Sequence, residues 1–149
     1  MNPLFELRGL GQSAWLDYIR RSLIAGGGLK RLIEDYAVTG VTSNPTIFNK
    51  SISGSTDYDE ALSSLVASGE RDAKAIFLRL AMEDIAAAAD TLRPVYEATD
   101  GRDGFVSLEV SPDLAVDAGG TVREAIGLFR ELARPNVMIK VPGTAEGMG

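Results

Sequence analysis

The chain has 149 residues, 45% hydrophobic and 24% charged, the make-up of one globular domain of ordinary size. A formal net charge of −6 disfavours nucleic acid and anionic membranes as partners, yet leaves room for a phosphorylated ligand in a local cationic pocket. With neither cysteine nor histidine there are no disulfides, no thiolate metal site and no imidazole base, so any catalysis must run on Lys, Asp, Glu, Tyr, Ser or Thr.

The opening segment, Met1 to Arg8, has no signal-peptide hydrophobic stretch, and no segment approaches the roughly 18 consecutive apolar residues of a membrane span. A cytoplasmic protein is expected. Strand signals then alternate with helical patterns, which predicts an α/β fold with a parallel sheet. The first strand is expected at 13–17, with Ser13, Trp15 and Asp17 on one face. Helical sequence follows from Tyr18 to Ala25, then a Gly26-Gly27-Gly28 hinge, then a helix from Leu29 to Tyr36. Arg20-Arg21 with Lys30-Arg31 reads as a solvated helix face. The second strand is expected at 40–44, stopped by Pro45, which lacks a ladder donor and restricts Asn44 before it. A polar loop is expected from Ser51 to Tyr58. A long amphipathic helix runs from Glu70 to Val95, with Phe77, Leu80, Ala81, Ile85, Ala88 and Leu92 as its core stripe. The third strand spans 104–110, its apolar face made by Val106, Leu108 and Val110 and its other face by Phe105, Ser107 and Glu109. Thr121 with Glu124 forms a capping box, opening a helix whose expected buried stripe is Val122, Ala125, Ile126 and Phe129. The fourth strand spans 136–141.

That last strand carries a lysine among apolar residues. Val137, Ile139 and Val141 share one face, and Met138 and Lys140 share the other. A lysine turned into a sheet interior is desolvated, which lowers its pKa and favours a nucleophilic amine of the Schiff-base kind. A lysine at a strand end that snorkels to water fits the same pattern. The other strands bear on the choice. Asp17, Asn44, Glu109 and Lys140 each stand at or near a strand's carboxyl end, opposite the aliphatic face. In a (β/α)8 barrel the active site is built at those ends. Lys140 could form an imine with a ketone, Asp17 and Glu109 could divide the acid and base tasks, and Asn44 offers donor and acceptor to hydroxyls.

The runs Gly11 to Asp17, Gly40 to Phe48, Val106 to Val110 and Ile139 to Thr144 resemble the successive strand motifs of transaldolases. The branch with members fused to glucose-6-phosphate isomerase is the most similar, and the resemblance runs from Leu4 to the last residue. It implies a class I aldolase-type barrel with Lys140 as the Schiff-base lysine and Asp17 as the acid/base carboxylate of bond cleavage. It implies Glu109 as the carboxylate acting through water, Asn44 as the amide that holds the dihydroxyacetone unit, and Thr42 beside the catalytic water, with Ser43 between them in the substrate-binding set. Such enzymes move that unit from fructose 6-phosphate or sedoheptulose 7-phosphate to an aldose phosphate in the pentose phosphate pathway. Neither a metal nor an organic cofactor is implied. A (β/α)8 barrel typically takes about 250 residues. Residues 1–149 are therefore expected to be its amino-terminal half, strands one to four, ending in the loop and helix start after strand four. The family's phosphate-binding residues belong to the half not represented. The expected partners are sugar phosphates and either the missing half or a second copy. A catalytically inactive half-barrel serving as an assembly module is the competing expectation.

Overall fold

In a computed structural model that describes residues 2–146, α1 (Pro3–Gly9) leads into β1 (Ala14–Leu16), followed by α2 (Arg21–Ala25), α3 (Gly28–Tyr36) and β2 (Val38–Val41). Three helices separate β2 from the next strand: α4 (Pro45–Ser53), α5 (Asp59–Ala67) and α6 (Ala73–Ala98). β3 (Phe105–Glu109), a 3-10 turn (Pro112–Leu114), α7 (Ala118–Leu132) and β4 (Val137–Lys140) follow. The helix start expected at the last residues lies outside the described ones. The strands form one sheet in the order β1-β2-β3-β4, and it is parallel throughout, as the alternation of strand and helix signals predicts.

The core lies on the outer face of this sheet. Asp72 caps α6 by accepting from the amides of Lys74 and Ala75, and the alanine-rich sequence that follows favours a helix of 26 residues, about 39 Å long. Its predicted stripe is where the core is: Leu80, Ala81, Ile85, Ala88 and Leu92 are buried, against Val41, Val106, Leu108, Val110 and Val137 of the strands. Each large aliphatic side chain so buried contributes roughly 1.5–3 kcal/mol relative to exposure. Gly104 turns the chain from α6 into β3. It has φ +85°, and a Cβ there would run into the Tyr96 backbone. Buried Asn136 fastens the start of β4, donating to the carbonyls of Ala89 and Gly104 at 2.8 and 3.0 Å.

Several expectations need correction. Strands one, three and four are each shorter than expected by a residue at both ends. The second strand starts at Val38, because Ala37 ends α3 in a left-handed conformation (φ 53°) and the chain extends at once. It stops at Val41, because the Asn44 side chain belongs to the start of α4. Tyr18 to Arg20 are not helical; Arg20 is extended and α2 begins after it. The supposed loop at 51–58 is helical through Ser53, since Ser51 is buried and donates to the Ile19 carbonyl at 2.8 Å. The long helix starts and ends three residues later than expected. The capping box at Thr121 is absent: Asp117 caps α7 by accepting from the Gly120 amide, while Glu124 accepts from the Ser111 amide. The glycine hinge is present, with Gly27 left-handed between α2 and α3.

The basic residues also differ from expectation. Arg20 pairs with Asp57 at 2.7 Å, and this contact holds the Asp57 carboxyl down at about 2. Arg21 reaches Asp84 at 2.8 Å and Glu83 at 2.7 Å, and its guanidinium lies 4.8 Å from the Tyr58 ring centre. Tyr58, which is fully buried, donates to Asp84 at 2.7 Å. Burial pushes the Asp84 carboxyl up despite these partners. The cluster joins α2, the segment before α5, and α6. Lys30 and Arg31 alone match the solvated reading.

The largest departure is on α7. Leu128 and Leu132 are its buried aliphatics, whereas Val122 (56%), Ile126 (46%) and Phe129 (47%) are exposed. Helix α7 points this second apolar stripe past the β4 edge, where Ala125, Ile126, Phe129, Val137 and Ile139 line a groove of about 320 Å³. Val141, next on the same face, is exposed, and so is Met138 on the opposite face of β4. An unpaired parallel edge flanked by apolar surface is an association site. Light scattering at micromolar concentration is therefore expected to show species larger than one chain, and Ile126→Asp combined with Phe129→Asp should shift them toward the monomer. A monodisperse wild-type monomer would contradict this. In a second test, Arg21→Ala strands a buried carboxylate and should lower stability by about 3 kcal/mol in urea titration; an unchanged midpoint would show the cluster to be dispensable.

Candidate active site

The polar residues converge at the carboxyl end of the sheet because of strand register. Glu109 of β3 lies directly opposite Lys140 of β4 in the parallel ladder, and both point away from the aliphatic core. Lys140 Nζ stands 3.4 Å from Glu109 Oε2. It donates to the Ser43 carbonyl at 2.6 Å and to Thr42 Oγ1 at 3.3 Å. The side chains of Lys140 and Glu109 are 38% and 33% exposed. The side chain expected to be desolvated is thus partly open to water, its Nζ ringed by three oxygens. Ion pairs this exposed contribute about 0–1 kcal/mol. The contact therefore positions the two groups and adds little to stability.

Thr42 and Ser43 extend β2 toward this end. The Thr42 amide still donates to the Leu16 carbonyl at 2.9 Å, which keeps its side chain on the inner face. The Thr42 hydroxyl accepts from Ser107 Oγ at 3.0 Å as well as from Lys140. Ser43 is fully buried and donates to the Ser107 carbonyl at 2.7 Å, so what it presents to Lys140 is its backbone carbonyl rather than its hydroxyl.

Asn44 has a local job as well. Its Oδ1 accepts from the Ile47 amide at 2.9 Å, and Pro45 occupies the first position of α4, where a missing N–H costs nothing. The Asn-Pro pair is thus a helix start as much as a site motif. With Oδ1 engaged, the amide NH2 is the group left for a ligand. Asn44, Asp17 and Glu109 line one cleft of about 580 Å³ with Thr46, Lys50 and Pro112. Among the described residues no hydrogen bond or ion pair links Asp17 to the others, and it is exposed on the cleft wall. Trp15 lies on the same inner face over Gly40, where any Cβ would collide with the indole.

The structure therefore brings Lys140, Glu109, Thr42 and the Ser43 backbone into one contact set, with Asp17 and Asn44 across the cleft. The sequence reading left Ser107 out. Its place on the inner face with Glu109 follows from strand alternation, but its contact with Thr42 passes to the neighbouring strand and has no local signal.

The family model described as transaldolase/fructose-6-phosphate aldolase matches residues 14–149. The chain belongs to this family. Among curated relatives, a transaldolase of Thermobifida fusca is 50% identical over 147 residues, covering 99% of this chain and 40% of the relative. A transaldolase of Saccharopolyspora erythraea is 50% identical over 145 residues, covering 97% and 39%, and transaldolase 2 of Nostoc punctiforme is 44% identical over 147 residues, covering 99% and 38%. The chain spans about two fifths of the length of these relatives. Its four-stranded parallel sheet is half of the family's (β/α)8 barrel.

The two uses of Asn44 can be separated. Asn44→Ala removes the cap and should lower stability by roughly 1 kcal/mol in urea titration, whereas Asn44→Ser keeps a capping oxygen and should stay within a few tenths of wild type. Equal losses in the two variants would contradict the capping role.

Proposed function

We propose that the chain carries the amine and carboxylate half of a transaldolase active site, which transfers a dihydroxyacetone unit through a Schiff base. The observation that supports this best is the cross-strand contact of Lys140 with Glu109, beside Thr42 and Ser43, in a chain of this family. In the proposed reaction Lys140, as free amine, attacks the C2 carbonyl of a ketose phosphate such as fructose 6-phosphate or sedoheptulose 7-phosphate. Glu109, through a water, moves the protons by which the carbinolamine loses its hydroxyl as water. The protonated imine then accepts the electron pair of the C3–C4 bond while Asp17 takes the C4 hydroxyl proton, and an aldose phosphate leaves. The enamine left on Lys140 adds to a second aldose phosphate, and hydrolysis frees the lysine. The Asn44 amide and Thr42 hydroxyl hold the three-carbon unit, with the Ser43 carbonyl steering the amine. All these steps run on side chains. The corresponding setting is the pentose phosphate pathway in the cytoplasm. The partner is a second half-barrel, supplied by further chain or by another copy.

One observation favours a second reading: the match covers only about two fifths of each relative. On that reading the chain is an assembly module with unused site residues. A hybrid in which this chain replaces the matched share of the Thermobifida fusca relative separates the two. Borohydride reduction with fructose 6-phosphate, followed by peptide mass mapping, is expected to label Lys140. Lys140→Met should abolish turnover, and Asp17→Ala should slow bond cleavage by about 10²–10⁴-fold while leaving the imine trappable. A folded hybrid without label would favour the module, and turnover by the Lys140→Met variant would exclude the imine.

A further inference from the structure

Three acceptors surround Lys140 Nζ, and they differ in one respect. The Ser43 carbonyl can only accept, and the Glu109 carboxylate can donate only after taking a proton. The Thr42 hydroxyl can do either. In the neutral amine that attacks a carbonyl, Nζ keeps two protons and exposes one lone pair. If the Ser43 carbonyl and Thr42 Oγ1 hold those two protons, the lone pair faces the third direction, where Glu109 and the cleft lie. If Thr42 instead turns its own proton onto Nζ, it occupies that lone pair and blocks attack.

Ser107 decides between these states. It is 3% exposed, on the inner face of β3 two residues before Glu109. A buried hydroxyl proton needs an acceptor. Among the described residues the acceptor of the Ser107 proton is Thr42 Oγ1, at 3.0 Å. The Ser107 backbone carbonyl meanwhile accepts from buried Ser43, which ties the same residue to the segment presenting the carbonyl to Lys140. A threonine hydroxyl has two lone pairs. One takes the Ser107 proton, the other takes a Lys140 proton, and the Thr42 proton is left to point away from Nζ.

We infer that Ser107 is a positioning residue of the Schiff-base reaction: by donating into Thr42 it keeps that hydroxyl an acceptor and so aims the Lys140 lone pair at the substrate carbonyl. This rests on the transaldolase reading above. The Ser107 hydroxyl makes no bond to Nζ, and its effect passes through Thr42.

The test uses the hybrid barrel and a double-mutant cycle. Ser107→Ala should slow imine formation, read by borohydride quench, up to about tenfold, the worth of one hydrogen bond between neutral groups. KM for fructose 6-phosphate should be unchanged. In a Thr42→Val background, Ser107→Ala should bring no further loss, because the hydroxyl it acts through is gone. Ser107→Cys, close in size and a weak donor, should slow imine formation likewise, and it decides the matter where the alanine variant fails to fold. An equal loss with and without the Thr42 hydroxyl, or a wild-type rate in a folded Ser107→Cys barrel, would overturn the inference. A parent hybrid that forms no Lys140 adduct would sink the transaldolase reading itself and this inference with it. An active parent with an unaffected Ser107→Ala variant would sink the inference alone.

Discussion

The pairing register of β3 and β4 is the constraint on which the site depends. With Glu109 opposite Lys140, both polar tips fall on the inner face and meet at 3.4 Å. A slip of one residue would carry every side chain of β4 to the other face, placing Lys140 against the aliphatic core and Val137 and Ile139 in the cleft. The apolar set on the outer face opposes that slip, since Val137 packs with Val106, Leu108 and Leu128. Asn136 opposes it too: its amide is buried and donates to the Ala89 carbonyl of α6 and the Gly104 carbonyl just before β3, and a shift would strand those groups without partners. The position of the amine is thus set from the far end of its own strand.

The ring of oxygens around Lys140 is built differently. It draws on backbone at Ser43, a hydroxyl at Thr42 and a carboxylate at Glu109, and only the last is on a neighbouring strand position that pairing alone dictates. Thr42 and Ser43 arrive because β2 stops at Val41 and the chain turns into α4, whose first turn Asn44 caps. The same five residues from Thr42 to Thr46 therefore end a strand, begin a helix and line the site. Substitutions there change local stability and chemistry together.

Much of the fold was readable because it rests on periodicity. The α6 core stripe and the inward tips of β3 and β4 follow from recurrence near 3.6 and alternation at period two, parallel direction follows from strands alternating with helices, and the sequential strand order is the one the barrel resemblance implies. The misreadings came where a tertiary contact overrode local pattern. The helical spacing of Val122, Ile126 and Phe129 predicts a buried α7 stripe, yet Leu128 and Leu132 face the core and the first three face an open edge. Thr121 with Glu124 has the spelling of a capping box, but Glu124 is engaged by the Ser111 amide and Thr121 donates to the Leu114 carbonyl. Arg21 looked solvated because Asp84 and Tyr58, its partners, lie far along the chain. Ser107 escapes a local reading because a serine in a strand has no distinguishing spelling; its meaning lies in a hydroxyl at the end of the neighbouring strand.

The excursion through α5 separates two kinds of change in this chain. α5 packs on α6 and leaves Leu62 and Val66 exposed, and it sits between the Tyr58–Asp84 anchor and the Asp72 cap. Those two fixtures hold the ends of the segment whatever lies between them. Length and surface of α5 are thus free to vary without moving either Thr42 or Glu109. A graft or reporter inserted at Gly69, in the exposed turn after α5, would meet the same tolerance, making this stretch a natural place to add a handle while the reacting end keeps its geometry.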